Sequence, residues 1–179
     1  MKTKLVISKA AIAPVAIAFL MFLGMNSFAQ KEKLQTAFIY QLTRLIEWCP
    51  DGKTGNFIIG VVGNNPNLVT ELGALKFRKV GEQPIEVKSF ATLADVTKTN
   101  ILFLPATRSS DVKEALNIVG TDCTLIISDQ EGGVDMGAGV SIIFLEESSK
   151  IQYEISKKYM TKHSLNVNDQ LYKLATKTY

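Results

Sequence analysis

Four glycines, Gly132, Gly133, Gly137 and Gly139, lie between an apolar run ending in Ser128-Asp129 and another beginning at Val140. Such a stretch could hold a phosphate, provided its amides converge at a helix N-terminus. The pattern is GG-x3-G-x-G, no Lys-Ser or Lys-Thr pair follows, and the next residues, VSIIFL, read as a strand. With no helix start to receive an anion, the segment reads as a connection between strands and not as a nucleotide site.

The other reactive side chains are sparse. His163 is the single histidine, at the end of a polar helical stretch, where an imidazole can meet the last helix carbonyls. One His and two separated Cys supply no zinc set, so no metal and no cofactor is expected. Asp129 follows a buried strand. Enzymes place acids there, but such a residue also opens a turn, and the turn is the simpler reading. Glu146-Glu147 and the pair Glu131 and Asp135 fall in a hairpin and a loop, as solvated surface. Catalytic residues are therefore not assigned, and the chain is not read as an enzyme.

The N-terminus carries Lys2, Lys4 and Lys9, then an uncharged apolar run from Ala10 to Met25, then Ser27-Phe28-Ala29. This is the pattern of a secretory signal peptide over residues 1–29, cleaved after Ala29, and it exports residues 30–179, as one domain, to an oxidising compartment. The whole chain has 20 Lys+Arg against 17 Asp+Glu. Without the three leader lysines the balance is 17 against 17, which removes the electrostatic case for nucleic acid.

These groups have to be positioned by the elements around them. Lys33 to Trp48 has apolar residues at helical spacing (Leu34, Phe38, Leu42, Leu45, Ile46) and Pro50 after it. NFIIGVVG, residues 56–63, reads as a strand buried on both faces. Asn65-Pro66 then opens a short helix to about Leu72. PIEVKSF, NILFLPA and CTLIISD are three more strands. ATLADV is a short helix between the first two, and a helix from Ser109 or Ser110 to Val119 stands between the last two. VSIIFLEE and IQYEIS read as a hairpin, followed by a helix at 156–162 and a last one from Asn168 through Thr176, with Leu171, Leu174 and Ala175 facing in. Alternating strands and helices predict an α/β three-layer sandwich: a mainly parallel sheet with a C-terminal antiparallel hairpin at its edge. Loops at the carboxyl ends of the strands then form the default crevice, at Asn64, Asn65, Thr107, Ser128 and Asp129. Cys49 and Cys123 fall at the opposite edge. An oxidising compartment would let them pair, but pairing needs Cα atoms within about 7 Å, and the sequence leaves that open.

The chain also resembles the YfiR-like family of small exported proteins. TAFIYQLTRLIEWCP is similar to the family's opening helix, with Ala37, Phe38, Tyr40, Glu47, Trp48 and Pro50 in its places. IGVVGNNP, TNILFLPA, TLIISD, GVSIIFLEESSKIQYEIS and VNDQLYKLA resemble successive family segments in the same order, the last with Gln170, Leu171, Lys173, Leu174 and Ala175 in register. Cys49 is inserted between Trp48 and Pro50, and Asn100 stands where many relatives carry a Cys, so the family's disulfide arrangement does not transfer.

The resemblance implies a non-enzymatic periplasmic regulator and a homodimer. Its partner would be the periplasmic sensor region of an inner-membrane signalling protein, a diguanylate cyclase or a sensor kinase, hence cyclic-di-GMP signalling. Two other classes stay beside it. A periplasmic small-ligand-binding domain would use the strand-end crevice, and a ligand would then raise thermal stability. An exported hydrolase is discouraged by the single histidine.

Overall fold

β-Branched and apolar runs build the centre of the molecule. In the computed structural model, which describes residues 30–179, they are β2 (Phe57–Val62), β4 (Gln83–Phe90), β5 (Ile101–Leu104), β6 (Leu125–Ser128) and β7 (Val140–Leu145). The signal-peptide expectation lies outside the described residues. The five strands run parallel in the order β4-β2-β5-β6-β7. From β2 the chain first adds β4 on one side, then crosses to β5 on the other. The sheet is thus doubly wound, with its switch point between the carboxyl ends of β2 and β5. β5 and β6 are buried along their whole length, so both sheet faces are covered, as their uninterrupted apolar sequence requires.

Each edge continues antiparallel. β8 (Lys150–Ile155) pairs with β7, from Val140 opposite Ile155 to Leu145 opposite Lys150, forming the expected hairpin. At the other edge β3 (Lys79–Val80) folds back on β4, a hairpin the sequence reading does not contain. The α/β class and the parallel sheet with a C-terminal hairpin are as expected. The hairpin is not outermost, because the two-residue strand β10 (Lys177–Thr178) adds in parallel beyond β8.

The helices follow their caps. α2 (Pro66–Gly73) starts at Asn65, whose side chain accepts from the Leu68 amide, with Pro66 in the first turn. α3 (Val112–Val119) ends at Gly120, φ 57°, and is preceded by a 3-10 stretch, Ala106–Asp111, instead of being capped by Ser109 or Ser110. The residues expected as a short helix at 91–96 shrink to one 3-10 turn, Leu93–Asp95, closed by a Thr92–Asp95 capping box. α4 (Lys157–Lys162) is capped by Ser156, and α5 (Asp169–Leu174) by Asn168. α5 stops short of Thr176 because Lys177–Thr178 pairs with β8, and Leu174 is exposed while Leu171 is buried.

The first helix, α1, covers residues 30–45 and not up to Trp48. The next two residues, Ile46–Glu47 (β1), pair antiparallel with β9 (Asn166–Val167), which tertiary contact ends the helix early. α1 is also rotated from the expected face. Ile39 and Leu42 are fully buried and Glu32, Gln35, Thr36 and Thr43 are buried beside them, whereas Leu34, Phe38 and Leu45 are half-buried.

Candidate functional site

At the carboxyl edge, the loops after β2, β5 and β6 lie side by side. Gly63 N donates to Phe90 O at 2.8 Å, and Asp129 N donates to Leu104 O at 2.9 Å. Gly63, φ 79°, passes against the Arg108 side chain, where a Cβ would stand 3.3 Å from Arg108 Cγ. Asn64 and Thr107 are exposed, and Asn65 is committed to the cap of α2. Arg108 pairs with Asp111 at 2.6 Å.

Ser128 and Asp129 are buried under other elements. Asp129 Oδ2 accepts from Lys31 Nζ at 2.8 Å, and Oδ1 accepts from Gln35 Nε2 at 2.7 Å. Lys31 and Gln35 are four apart on α1, hence on one face. The carboxylate therefore staples the first turns of α1 to the end of β6. Gln35, the member of the buried stripe that meets Asp129, is thereby turned toward the sheet. A Lys and a Gln four residues apart are too common in a helix for the sequence to point to their partner. Burial raises the Asp129 carboxyl above its ordinary value, with the nearby Glu32 also raising it and the Lys31 and Gln35 contacts lowering it.

A carboxyl raised on folding holds its proton more tightly in the native state than in the unfolded one. Its contribution to stability is present below the ordinary carboxylate value and is lost as pH rises through the raised one. Asp129→Asn removes that titration. The variant is expected to gain on the wild type steadily as pH is taken from about 4 upward, whatever its constant offset. Urea melts of both proteins across this range check it, and a stability difference independent of pH would contradict it.

The glycine segment is a chain of tight turns whose amides are used internally. Gly133 N donates to Gln130 O, Asp135 N to Gly132 O, Met136 N and Ala138 N to Gly133 O, and Gly137 N to Val134 O. Val134 N donates to Ser141 Oγ at 2.8 Å. The Gly132 amide does meet an anion, but that anion is the protein's own Glu154, at 2.9 Å. Gly133 lies so close over β6 and β7 that a Cβ would fall 2.5 Å from Ser128 Oγ. The segment is a close-packed connection, as the strand after it indicates.

His163 closes α4 and is fully buried. Its ring stacks on Tyr159 at 4.0 Å, and Nδ1 lies 3.0 Å from Asp122 O. A carbonyl only accepts, so Nδ1 carries the proton and donates it. Burial lowers the imidazole's pKa below its ordinary value, against the Asp122 contact, which raises it. The contact ties α4 to the loop before Cys123, a different carbonyl from the helix-end ones expected.

At the amino edge Cys49 and Cys123 form a disulfide, with Cα atoms 6.0 Å apart. Asn100 lies beside it. Its Nδ2 donates to Gly52 O at 2.7 Å and its Oδ1 accepts from Ile58 N at 2.9 Å. Gly52 itself sits where a Cβ would be 3.2 Å from Cys123 Cβ. Among the described residues no cluster of three or more His, Cys, Asp or Glu is placed to hold a metal ion. No described helix is long and apolar enough to cross a membrane.

A model of the YfiR/HmsC-like family matches residues 32–176. The chain belongs to that family. No curated protein matches it. Among solved structures, the ABC domain in complex with L-Trp from Streptococcus pneumonia is similar at TM-score 0.55 and 12% identity, over 84% of this chain and 60% of that one. A conserved domain protein from Vibrio cholerae O1 biovar eltor gives TM-score 0.49 and 15% identity, over 69% of this chain and 55% of that one. The chain thus spans little more than half the length of either, and the first likeness concerns the fold alone. Within the YfiR/HmsC-like frame, the span from 32 to 176 takes in Asp129 and its α1 partner Gln35, the disulfide and the closing hairpin.

Proposed function

We propose that this protein is an exported, non-enzymatic regulator. It binds the periplasmic sensor region of an inner-membrane signalling protein, a diguanylate cyclase or a sensor kinase, and biases its output; it acts as a homodimer. The observation that carries this reading is the YfiR/HmsC-like match over residues 32–176. The disulfide suits an oxidising compartment and so supports export with removal of residues 1–29. The absence of a catalytic role fits the way the polar groups are spent: Asp129 holds α1, Asn65 caps α2, and His163 is buried against a carbonyl. The same commitments weigh against the strand-end crevice as a ligand site.

A regulator needs only to bind one state of its receptor better than another. A preference of a few kcal/mol shifts such an equilibrium from one state to the other. Deleting the gene is expected to change cellular cyclic-di-GMP or the kinase output several-fold, with restoration by the wild-type copy. Crosslinking from the membrane fraction is expected to recover the receptor. A deletion strain with unchanged second-messenger level, kinase output and biofilm would count heavily against the proposal.

A further inference from the structure

The segment before β4 has a surface that the fold does not need. A 3-10 turn, Ala74–Phe77, leads through Arg78 into the edge strand β3. Leu75 points into the core, but Phe77 is 83% exposed, more than either of the other exposed large hydrophobics, Ile118 and Leu174. Cations surround it. Lys76 Nζ lies 4.9 Å from the Phe77 ring centroid, Arg78 and Lys79 follow, and no carboxylate occurs between Glu71 and Glu82. Among the described residues Lys76 and Arg78 have no ion pair, and Lys79 reaches Glu82 only at 3.6 Å, in water. Lys79 also lines a cleft of about 560 Å³ in which Arg44 and Lys53 join it against Glu47 and Glu82. Residues 30–179 are formally neutral, so this cationic density is local.

A protein partner would need a broad patch, on the order of 1,200 Å² buried in total with an apolar centre. Phe77 has no large apolar neighbour at the surface to build one. Ile118 is on α3 and Leu174 on α5, and these pack near β6 and β8, on the far side of β2 from β3. A lone projecting aromatic among flexible cations fits a soft anionic surface. The ring enters the boundary between headgroups and acyl chains, and the cations meet phosphates.

We propose that residues 76–79 dock the protein on an anionic phospholipid surface, with Phe77 inserted and Lys76, Arg78 and Lys79 on the lipid phosphates. This goes beyond the regulator reading, and it requires no particular receptor. The test is sedimentation of the mature protein, as purified from the exporting host, with vesicles of phosphatidylcholine alone or mixed with phosphatidylglycerol. Binding is expected only to the mixed vesicles and is expected to weaken as salt is raised. Lys76→Ala with Arg78→Ala should weaken it roughly 25-fold, about five-fold per charge. Phe77→Ala should weaken it as well, while Lys113→Ala, on α3, should leave it unchanged. Phe77→Trp should show a blue-shifted emission with mixed vesicles. All four positions are at the surface, and unchanged thermal melts would show the variants folded. Absence of binding at low salt, equal binding to neutral vesicles, or full binding by the double variant and Phe77→Ala overturns the proposal. So does a photocrosslinker at position 77 that captures an acidic protein while the vesicles stay bare.

Discussion

Replacing Cys49 and Cys123 by serine is expected to lower stability by roughly 4 kcal/mol, in the loop-entropy account of a crosslink. The bond closes a sequence separation of 74 residues, and that interval contains β2, α2, β4, β5 and α3. Half of the sheet is thereby tied to the end of the first helical region. Without the bond, the unfolded chain recovers the freedom of that long loop, while the native contacts change little. For a chain of this size the midpoint of thermal unfolding should fall on the order of 10 °C. The neighbouring contacts sharpen the expectation. Gly52 and Asn100 pack beside the bond, and the Asn100 hydrogen bonds to Gly52 O and Ile58 N do not involve either sulfur, so they are expected to hold local order in the reduced protein. Thermal melts of the wild type with and without reductant, beside the double serine variant, measure it. Equal midpoints in all three would show that the bond contributes nothing.

The second large effect is expected at Gly139. A Cβ there would lie 2.6 Å from Leu125 Cδ1 and 2.7 and 2.8 Å from Tyr159 Cδ1 and Cε1. Neither side can yield. Tyr159 is pinned by its hydroxyl, which donates to Thr124 O at 2.7 Å and accepts from Ile126 N at 3.0 Å, and by its stack on His163. The backbone is pinned too: Gly139 N donates to Ile126 O at 3.0 Å, and Gly139 O accepts from Ser156 N at 2.9 Å. Gly139→Ala should therefore cost about 3 kcal/mol, the upper end of the usual overpacking range. Gly73→Ala is the internal comparison. Gly73 has helical φ and nothing within 4 Å of a built Cβ, so alanine there should be neutral or stabilising by up to ~1 kcal/mol. Denaturant melts of both variants decide the matter, and a Gly139→Ala protein within ~0.5 kcal/mol of wild type would contradict the packing argument.

These two sites separate what patterning reveals from what packing decides. The central strands were legible because each is a short apolar run, or in β4 an apolar–polar alternation, bounded by turn residues. Asn65-Pro66, Ser156 and Asn168 marked helix starts because a cap acts within its own few residues. Elements held only by a distant partner were not legible. β1 depends on β9, β10 depends on β8, and neither two-residue strand has a local signature. The α1 stripe misled for a related reason. Leu34, Phe38 and Leu45 have the right spacing, but the buried face carries Ile39, Leu42 and Gln35, and Gln35 meets Asp129, 94 residues away in sequence.

The sequence by itself determined the class of fold, the export-type leader pattern, the single histidine and two separated cysteines, and the family resemblance. All of these rest on local periodicity, composition or ordered motifs. It also determined that the glycine segment feeds a strand. Tertiary structure alone decided that Cys49 and Cys123 come within bonding distance, that Asp129 faces a helix, and that Gly132 offers its amide to Glu154. It also decided that Gly139 is a glycine because Leu125 on β6 and Tyr159 on α4 leave no room for a Cβ. Each is a contact between segments far apart in the chain, whose distance is set by how the sheet is wound and not by the residues on either side.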